Sequence, residues 1–300
     1  MFSKPILFIV FNRPDLTARI FEVIKKIKPV RLYVAADGPR ADRSGETELC
    51  AQTRRLATAI DWPGEVKTRF LDKNAGCHTA VPAAISWFFS NEEEGIILED
   101  DCLADPSFFS FCEELLEIYH NDEEVLMISG DNFQATGRET ADQASYYFSK
   151  YANIWGWATW RRAWADFIDD FQGLDDRRMK TEIKKSFSSV RAQNYWYGFY
   201  KKIKTGRLIN WDAKWSLSLV YNGGRSLIPN VNLVRNIGFG PEATHSAGNY
   251  HLSLPTGSMS NIIHPKSRAI NYQADNHLFR AIYFKSLGER LFLKIKSYFK

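Results

Sequence analysis

Residues 95–101 read Gly-Ile-Ile-Leu-Glu-Asp-Asp, an apolar run that ends in three consecutive carboxylates. A short apolar run of this length predicts a buried strand. Neighbouring carboxylates repel one another unless a cation lies among them, and Mg²⁺ and Mn²⁺ prefer carboxylate oxygens. The stretch therefore predicts a buried strand that ends at a divalent cation site, with a solvated acidic turn as the alternative. If the strand continues through the acids, Glu99 and Asp101 share one face and Asp100 lies on the other.

The sequence around this stretch alternates short apolar runs with stretches of helical periodicity. The predicted strands are residues 6–11, 30–36, 66–71, 95–98 and 125–129. The predicted helices begin at Pro14 and cover residues 45–60, 79–89 and 106–119, the last of them capped by Asp105. This alternation predicts an α/β fold with a mostly parallel, Rossmann-like sheet and helices on both faces.

Polar residues follow the predicted strands at the points where they end. Arg13 follows the first strand, Asp37 the second and Asp131 the fifth, while the acidic triplet follows the fourth. Open sheets of this kind bind ligands outside the carboxyl ends of their strands. We therefore expect these side chains to lie along one rim of the sheet and to form the functional site.

The formal net charge of +4 conceals two halves of opposite charge. Residues 1–150 contain 16 Lys and Arg against 25 Asp and Glu, and residues 151–300 contain 23 against 10. A general nucleic-acid-binding protein needs one continuous basic surface, so this distribution argues against a nucleic-acid partner. It is compatible with an acidic metal site beside a basic surface for an anionic acceptor or a membrane.

The cysteines and apolar runs indicate an intracellular protein. The four cysteines lack paired metal-site spacing, which favours reduced thiols in a cytoplasmic setting (Cys50, Cys77, Cys102, Cys112). No apolar run approaches the roughly 20 residues of a membrane-spanning helix, and we read no secretory signal. Residues 280–300 contain six Lys and Arg against one Glu, interleaved with apolar residues. This basic amphipathic helix either contacts an anionic membrane peripherally or docks on the body of the protein.

Seven of the nine tryptophans lie after residue 150. Trp157, Trp160 and Trp164 follow one another at spacings of three and four, which indicates a helix. Aromatic residues at helical spacing are mostly core residues, although one or two of them can line a sugar site.

Several motifs, in this order along residues 5–250, resemble those of one enzyme family. The Glu-Asp-Asp triplet at 99–101 is followed by Asp-Pro-Ser-Phe-Phe at 105–109. Further along the chain come Ile-Trp-Gly-Trp at 154–157, Trp-Asp-Ala-Lys-Trp at 211–215 and an apolar segment and loop at 228–245. Together they resemble the N-acetylglucosaminyltransferase I family, which belongs to the nucleotide-sugar glycosyltransferases of the GT-A fold. The Trp-Asp segment departs from the family pattern in its spacing.

The resemblance implies roles on the donor side. Arg13 would contact the nucleotide and Asp37 its base or ribose. His78 occupies the place of a nucleotide-binding histidine, in a different local sequence. Asp100 would contact the ribose or donor sugar, and Glu99 would contact the donor sugar at the reaction centre.

The resemblance also implies a metal site and a base. Asp101 would ligate Mn²⁺ or Mg²⁺, and His245 would reach the metal or the diphosphate from a loop that closes over it. Asp212, between Trp211 and Trp215, would be the general base that takes the proton of the acceptor hydroxyl. A structural aspartate at a helix start is the alternative reading of Asp212.

These observations predict an inverting, metal-dependent glycosyltransferase that uses a nucleotide-diphosphate sugar, expected to be a UDP-sugar, and a glycan or lipid-linked acceptor. We expect one catalytic domain over residues 1–250, with a nucleotide-sugar half at 1–132, an acceptor half at 133–250 and an extension at 251–300. A sugar-nucleotide nucleotidyltransferase is one alternative, although the Gly-rich signature expected after its first strand is replaced here by Asn12, Arg13 and Pro14. A non-catalytic carbohydrate-binding protein is another, but it leaves the acidic triplet unexplained.

Overall fold

The computed structural model describes residues 1–134, 143–238, 254 and 256–283, and its central feature is an eight-stranded sheet. The described residues form ten strands, of which all but β5 and β10 belong to this sheet. They are β1 (Ile6–Val10), β2 (Arg31–Ala36), β3 (Glu65–Phe70), β4 (Glu94–Glu99), β5 (Cys102–Ala104), β6 (Val125–Ser129), β7 (Tyr146–Ser149), β8 (Trp157–Trp160), β9 (Arg225–Pro229) and β10 (Val234–Asn236). The order in the sheet is β3-β2-β1-β4-β8-β6-β9-β7. All except β7 and β8 run in the same direction. The predicted α/β fold with a mostly parallel sheet is confirmed.

Helices pack around this sheet. They are α1 (Pro14–Ile27), α2 (Glu46–Ala57), α3 (Cys77–Asn91), α4 (Pro106–Ile118), α5 (Arg161–Trp164), α6 (Asp176–Ser186), α7 (Val190–Lys204), α8 (Trp211–Tyr221) and α9 (Tyr272–Leu278), with a π-helical turn at Phe279–Tyr283. Helix α1 contacts α2 and α4, whereas α3 contacts α5 and α8, so the helices form two separate groups. Asp105 caps α4 as predicted, because its side chain accepts a hydrogen bond from Ser107 N at 2.9 Å. No helix in the described part of the chain is long and apolar enough to span a bilayer.

The segment around Trp157 differs from the sequence-based expectation. Residues 157–160 form β8, which lies antiparallel between β4 and β6, and only the four residues of α5 that follow are helical. The helix predicted from tryptophan spacing is therefore wrong over β8. Trp157 and Trp160 are each 1% exposed, so the prediction that these aromatic residues are core residues is confirmed.

A second, two-stranded sheet positions the chain on both sides of the acidic triplet. Strand β5 follows the acids directly and pairs antiparallel with β10. Beyond β10, Ile237 N donates to the carbonyl oxygen of Asp101 at 2.7 Å. The chain that leaves β10 therefore passes directly over the end of β4.

The C-terminal extension begins by packing on the edge of the large sheet. Asn271 N donates to Phe148 O at 2.9 Å, and the buried Asp275 of α9 accepts hydrogen bonds from Ser149 Oγ and Lys150 N. The predicted basic helix begins at residue 280, and most of it, residues 284–300, lies outside the described residues.

Candidate active site

The acidic triplet lies at the carboxyl end of β4, between β1 and β8 in the sheet. Strand β4 ends at Glu99, and the chain turns at Asp100 and Asp101 before it enters β5. Arg13, at the end of β1, pairs with Asp100 and also with Asp101, where the distance between Nη1 and Oδ2 is 3.1 Å. Because the strand ends at Glu99, the alternation of faces expected for a strand that continues through the acids does not apply to Asp100 and Asp101. Strand alternation stops at Glu99.

These ion pairs balance charge in a buried setting. The side chain of Asp100 is 3% exposed and also accepts a hydrogen bond from Phe11 N at 3.2 Å. Burial would lower the pKa of Arg13, but the carboxylates of Asp100 and Asp101 raise it above its usual value. Burial raises the pKa of Asp100 to about 6, against the opposing effect of Arg13. Arg13 thus supplies positive charge beside two of the three acids.

Glu99 is the most perturbed acid of the triplet. Burial raises its pKa to about 8, and the neighbouring charges of Asp101 and Asp100 raise it further than Arg13 lowers it. Burial and the neighbouring carboxylates thus favour the neutral form of the Glu99 carboxyl. A further positive charge beside the triplet would favour its ionised form.

Asp212 lies in the first turn of α8, within electrostatic range of the acidic triplet. Its carboxylate interacts electrostatically with Glu99 and with Cys77, the first residue of α3. Trp211 and Trp215 are 6% and 0% exposed, and Trp215 packs against Trp157 with ring centroids 5.8 Å apart. The buried tryptophans anchor the start of α8, and the structure brings Asp212 and the acidic triplet together.

Asp37 closes a turn at the end of β2. Its Oδ1 accepts hydrogen bonds from Gly38 N and Ala75 N, both at 2.8 Å, and its Oδ2 accepts from Gly76 N and Asn74 Nδ2 at 2.9 and 3.0 Å. The carboxylate therefore joins the loop after β2 to the loop before α3. The predicted contact between Asp37 and a nucleotide has to be compatible with these four bonds.

Of the two histidines assigned to the site, one lies inside the described part of the chain. His78 is exposed in the first turn of α3, beside Gly76, whose φ of +80° starts the helix. His245 lies outside the described residues. The chain approaches the triplet through Gly238, where an added Cβ would lie 2.4 Å from Asp101 Oδ2. Sequence analysis did not single out Gly238, because only its contact with Asp101 explains the need for glycine.

Two further groups lie near Asp212. Asp131, at the end of β6, is 1% exposed and accepts a hydrogen bond from Trp155 N at 3.1 Å, and burial raises its pKa well above the usual range. Burial also raises the pKa of Tyr283, which interacts electrostatically with Asp212 and Asp131. Sequence analysis missed Tyr283, because its surroundings predicted only a basic amphipathic helix.

The described carboxylates fit one kind of metal site. Among the described residues, no group of three or more His, Cys, Asp or Glu side chains is arranged to hold an ion. Mg²⁺ and Mn²⁺ bound with nucleotides commonly take one or two carboxylates from the protein and complete their shell with phosphate oxygens and water. Asp101, with Asp100 beside it, suits that kind of site. It does not suit a cage built entirely from protein ligands.

Comparison with known proteins gives only distant similarities. No protein-family profile matches the sequence, and no curated protein matches it significantly. HddC from Yersinia pseudotuberculosis has 7% sequence identity and a TM-score of 0.31, over 53% of this chain and 77% of HddC. A UDP-glucose pyrophosphorylase complexed with UDP-glucose has 10% identity and a TM-score of 0.28, over 51% of this chain and 64% of its own. Similarities this low carry no argument about function.

Proposed function

We propose that the protein is an inverting, metal-dependent glycosyltransferase that moves a sugar from a nucleotide-diphosphate sugar to an acceptor hydroxyl. The observation that carries the proposal is the pairing of two features across one crevice. The acidic triplet ends β4 at the rim where open sheets bind ligands, and Asp212 faces it from the start of α8. A UDP-sugar is the donor, and a glycan or lipid-linked sugar is the acceptor.

The donor lies over the ends of β1, β2 and β4. Asp101 would hold Mn²⁺ or Mg²⁺, and the ion would supply Lewis-acid neutralisation of the charge that develops on the leaving nucleoside diphosphate. The guanidinium of Arg13 contacts the diphosphate as well as the carboxylates. Asp100 and Glu99 orient the ribose and the donor sugar. His78 and Asp37 lie at the nucleotide end, and His245 approaches from the segment beyond Gly238.

Asp212 acts on the acceptor. Its carboxylate takes the proton of the acceptor hydroxyl as the oxygen forms a bond to the anomeric carbon, and the bond from that carbon to the diphosphate oxygen breaks. The electron pair of the broken bond leaves with the nucleoside diphosphate. A single base opposite the leaving group produces inversion at the anomeric carbon.

Two aromatic residues next to Asp131 form the acceptor side of the proposed site. Trp155 packs against Phe133 with ring centroids 4.7 Å apart, and Asp131 fixes the backbone of Trp155. Both rings are partly exposed and offer a surface for a pyranose ring. Residues 280–300 add a basic amphipathic segment beyond Tyr283, which we assign to contact with anionic lipid at the membrane surface.

Calorimetry with UDP and Mn²⁺ tests the proposal. Asp101→Ala should abolish Mn²⁺-dependent nucleotide binding without a change in fold, as judged by circular dichroism. Asp61→Ala is the control, because Asp61 is an exposed acid that pairs with Lys25 far from the triplet in sequence. Equal affinity in the wild type and Asp101→Ala would remove the metal assignment. Release of pyrophosphate from a nucleoside triphosphate and a sugar 1-phosphate would favour a nucleotidyltransferase instead.

A further inference from the structure

Helices α6 and α7 form a surface of unusually uniform charge. Residues 176–210 contain ten Lys and Arg against two acids, Asp176 and Glu182. Asp176 pairs with Lys201 and Lys204 at 2.9 and 2.6 Å, and Glu182 pairs with Lys185 at 2.8 Å. The other exposed cations of α6 and α7 that make no ion pair within the described residues are Arg177, Arg178, Lys180, Lys184 and Lys202. Within the described part of the chain, this surface therefore carries a large excess of positive charge.

The two helices lie side by side and antiparallel. Asp176, the first residue of α6, contacts Tyr200, Lys201 and Lys204 in the last turn of α7. The ammonium groups of Lys180 and Lys201 lie 5.7 and 6.0 Å from the centre of the same Tyr197 ring. One cation from each helix thus lies at the same aromatic ring, and this contact joins the exposed sides of α6 and α7.

Exposed aliphatic side chains flank the pair at both ends. Val190, the first residue of α7, is 68% exposed, and Ile209, shortly after the end of α7, is 50% exposed. Lysines, an interleaved aromatic ring and exposed aliphatic side chains are the combination found on protein surfaces that lie in the headgroup region of a membrane. Exposed aliphatic side chains favour a lipid headgroup region over a nucleic acid, whose phosphate backbone offers them no apolar partner.

The helix pair adjoins the acceptor side of the crevice. Tyr195 and Trp196 of α7 each pack against Tyr283 with ring centroids 5.5 Å apart. Tyr283 in turn interacts electrostatically with Asp212 and Asp131. A planar partner bound to α6 and α7 would therefore lie close to the proposed acceptor entrance.

We propose that the surface formed by α6 and α7 docks on an anionic phospholipid bilayer and brings a lipid-linked acceptor to the crevice. The docking follows from charge and shape, whereas the acceptor class rests on the proposed glycosyltransferase function. The helix pair belongs to the described body of the protein, so it acts independently of the basic segment 284–300.

Vesicle sedimentation with the full-length chain tests the docking. The wild type should bind vesicles of phosphatidylcholine and phosphatidylglycerol at 3:1 in about 0.1 M salt, and should not bind pure phosphatidylcholine. Each Lys near an anionic surface contributes about a fivefold factor, so Lys180→Gln, Lys184→Gln and Lys202→Gln together should lower partitioning roughly 100-fold. The matched control is Arg19→Gln, Lys26→Gln and Lys28→Gln, which removes three exposed cations of α1 and its C-cap and should change partitioning less than twofold.

Three outcomes would overturn the docking proposal. The first is equal loss in both triple variants, which would show a general effect of net charge. The second is unchanged binding of the α6–α7 variant. The third is binding that disappears only when the basic residues of 284–300 are replaced by Gln, which would assign membrane contact to that segment alone. None of these measurements depends on catalysis, so they stand apart from a failure of the proposed function.

Discussion

Arg13→Ala tests whether a divalent cation can replace the positive charge of Arg13 beside the acidic triplet. In the wild type, Arg13 pairs with Asp100 and Asp101, whose side chains are 3% and 14% exposed. Removing one partner of a buried ion pair costs about 3–5 kcal/mol. The side chain of Arg13 is 38% exposed, so solvent screens part of this interaction. In addition, Asp100, with a pKa already raised by burial to about 6, can take up a proton when Arg13 is absent. We therefore expect a loss of about 2 kcal/mol, or roughly 4–8 °C in Tm.

Manganese should restore this loss, because a divalent cation occupies the place that the guanidinium leaves. At about 100 times its Kd, a ligand that binds only the folded state adds about 2.7 kcal/mol. In the wild type the gain should be smaller, because Mn²⁺ has to displace Arg13 from Asp101. The assay is thermal unfolding of each protein with and without Mn²⁺, in the absence of nucleotide.

Arg40→Ala is the matched control. Arg40 pairs with Glu46, and the side chains of the two residues are 39% and 4% exposed, values close to those of Arg13 and Asp100. Removal of the Arg40 side chain should lower Tm to a similar extent. Mn²⁺ should not restore this Tm, because only one carboxylate, that of Glu46, remains at this place. Equal Mn²⁺ shifts in all three proteins, or no shift in Arg13→Ala, would refute the reasoning.

Three further predictions follow from particular contacts. Asp212→Asn should lower turnover in donor hydrolysis about 10²–10⁴-fold while UDP affinity by calorimetry holds; retained turnover would place the base elsewhere, at Asp131 for example. Gly238→Ala should weaken Mn²⁺-dependent UDP binding roughly tenfold, because the new Cβ would lie 2.4 Å from Asp101 Oδ2; unchanged affinity would show that the loop adapts freely. The pKa of Asp275 is raised by burial to about 7, against about 3.9 in an unfolded chain, so the folded state binds more protons and wild-type stability falls as pH rises from about 4 to 7. Asp275→Asn should remove that fall, because an amide does not titrate in this range, as measured by urea unfolding across the pH range; parallel pH profiles for the two proteins would contradict it.

The sequence predicted the first half of the fold well, because β1, β2, β4 and β6 are largely buried on both faces. Such strands read as short apolar runs with clear ends, and the run at 125–129 coincides with β6. Strand β8 was not predicted, because Trp157 and Trp160 also fit a helical spacing and only the pairing with β4 and β6 decides between the two. The same limit applies to β7, whose partner β9 lies about 80 residues further along the chain.

The sequence predicted which residue types form the candidate site, but it did not predict which of their side chains contact one another. The position of the triplet at the end of a buried strand follows from local pattern alone. That Arg13 bridges Asp100 and Asp101 depends on the parallel register of β1 and β4, which a single sequence does not reveal. The approach of Tyr283 to Asp212 likewise depends on the docking of α9 against β7.

Release of nucleoside diphosphate from a nucleotide sugar tests the central claim most directly. The wild-type protein, incubated with UDP-sugars and Mn²⁺, should release UDP slowly even without an acceptor, because water can replace the acceptor hydroxyl. Release should stop when EDTA removes the metal, and it should be absent in Asp101→Ala. A wild-type protein that releases no nucleoside diphosphate from any nucleotide sugar, or that releases it equally with Mn²⁺ and with EDTA, would contradict a metal-dependent glycosyltransferase.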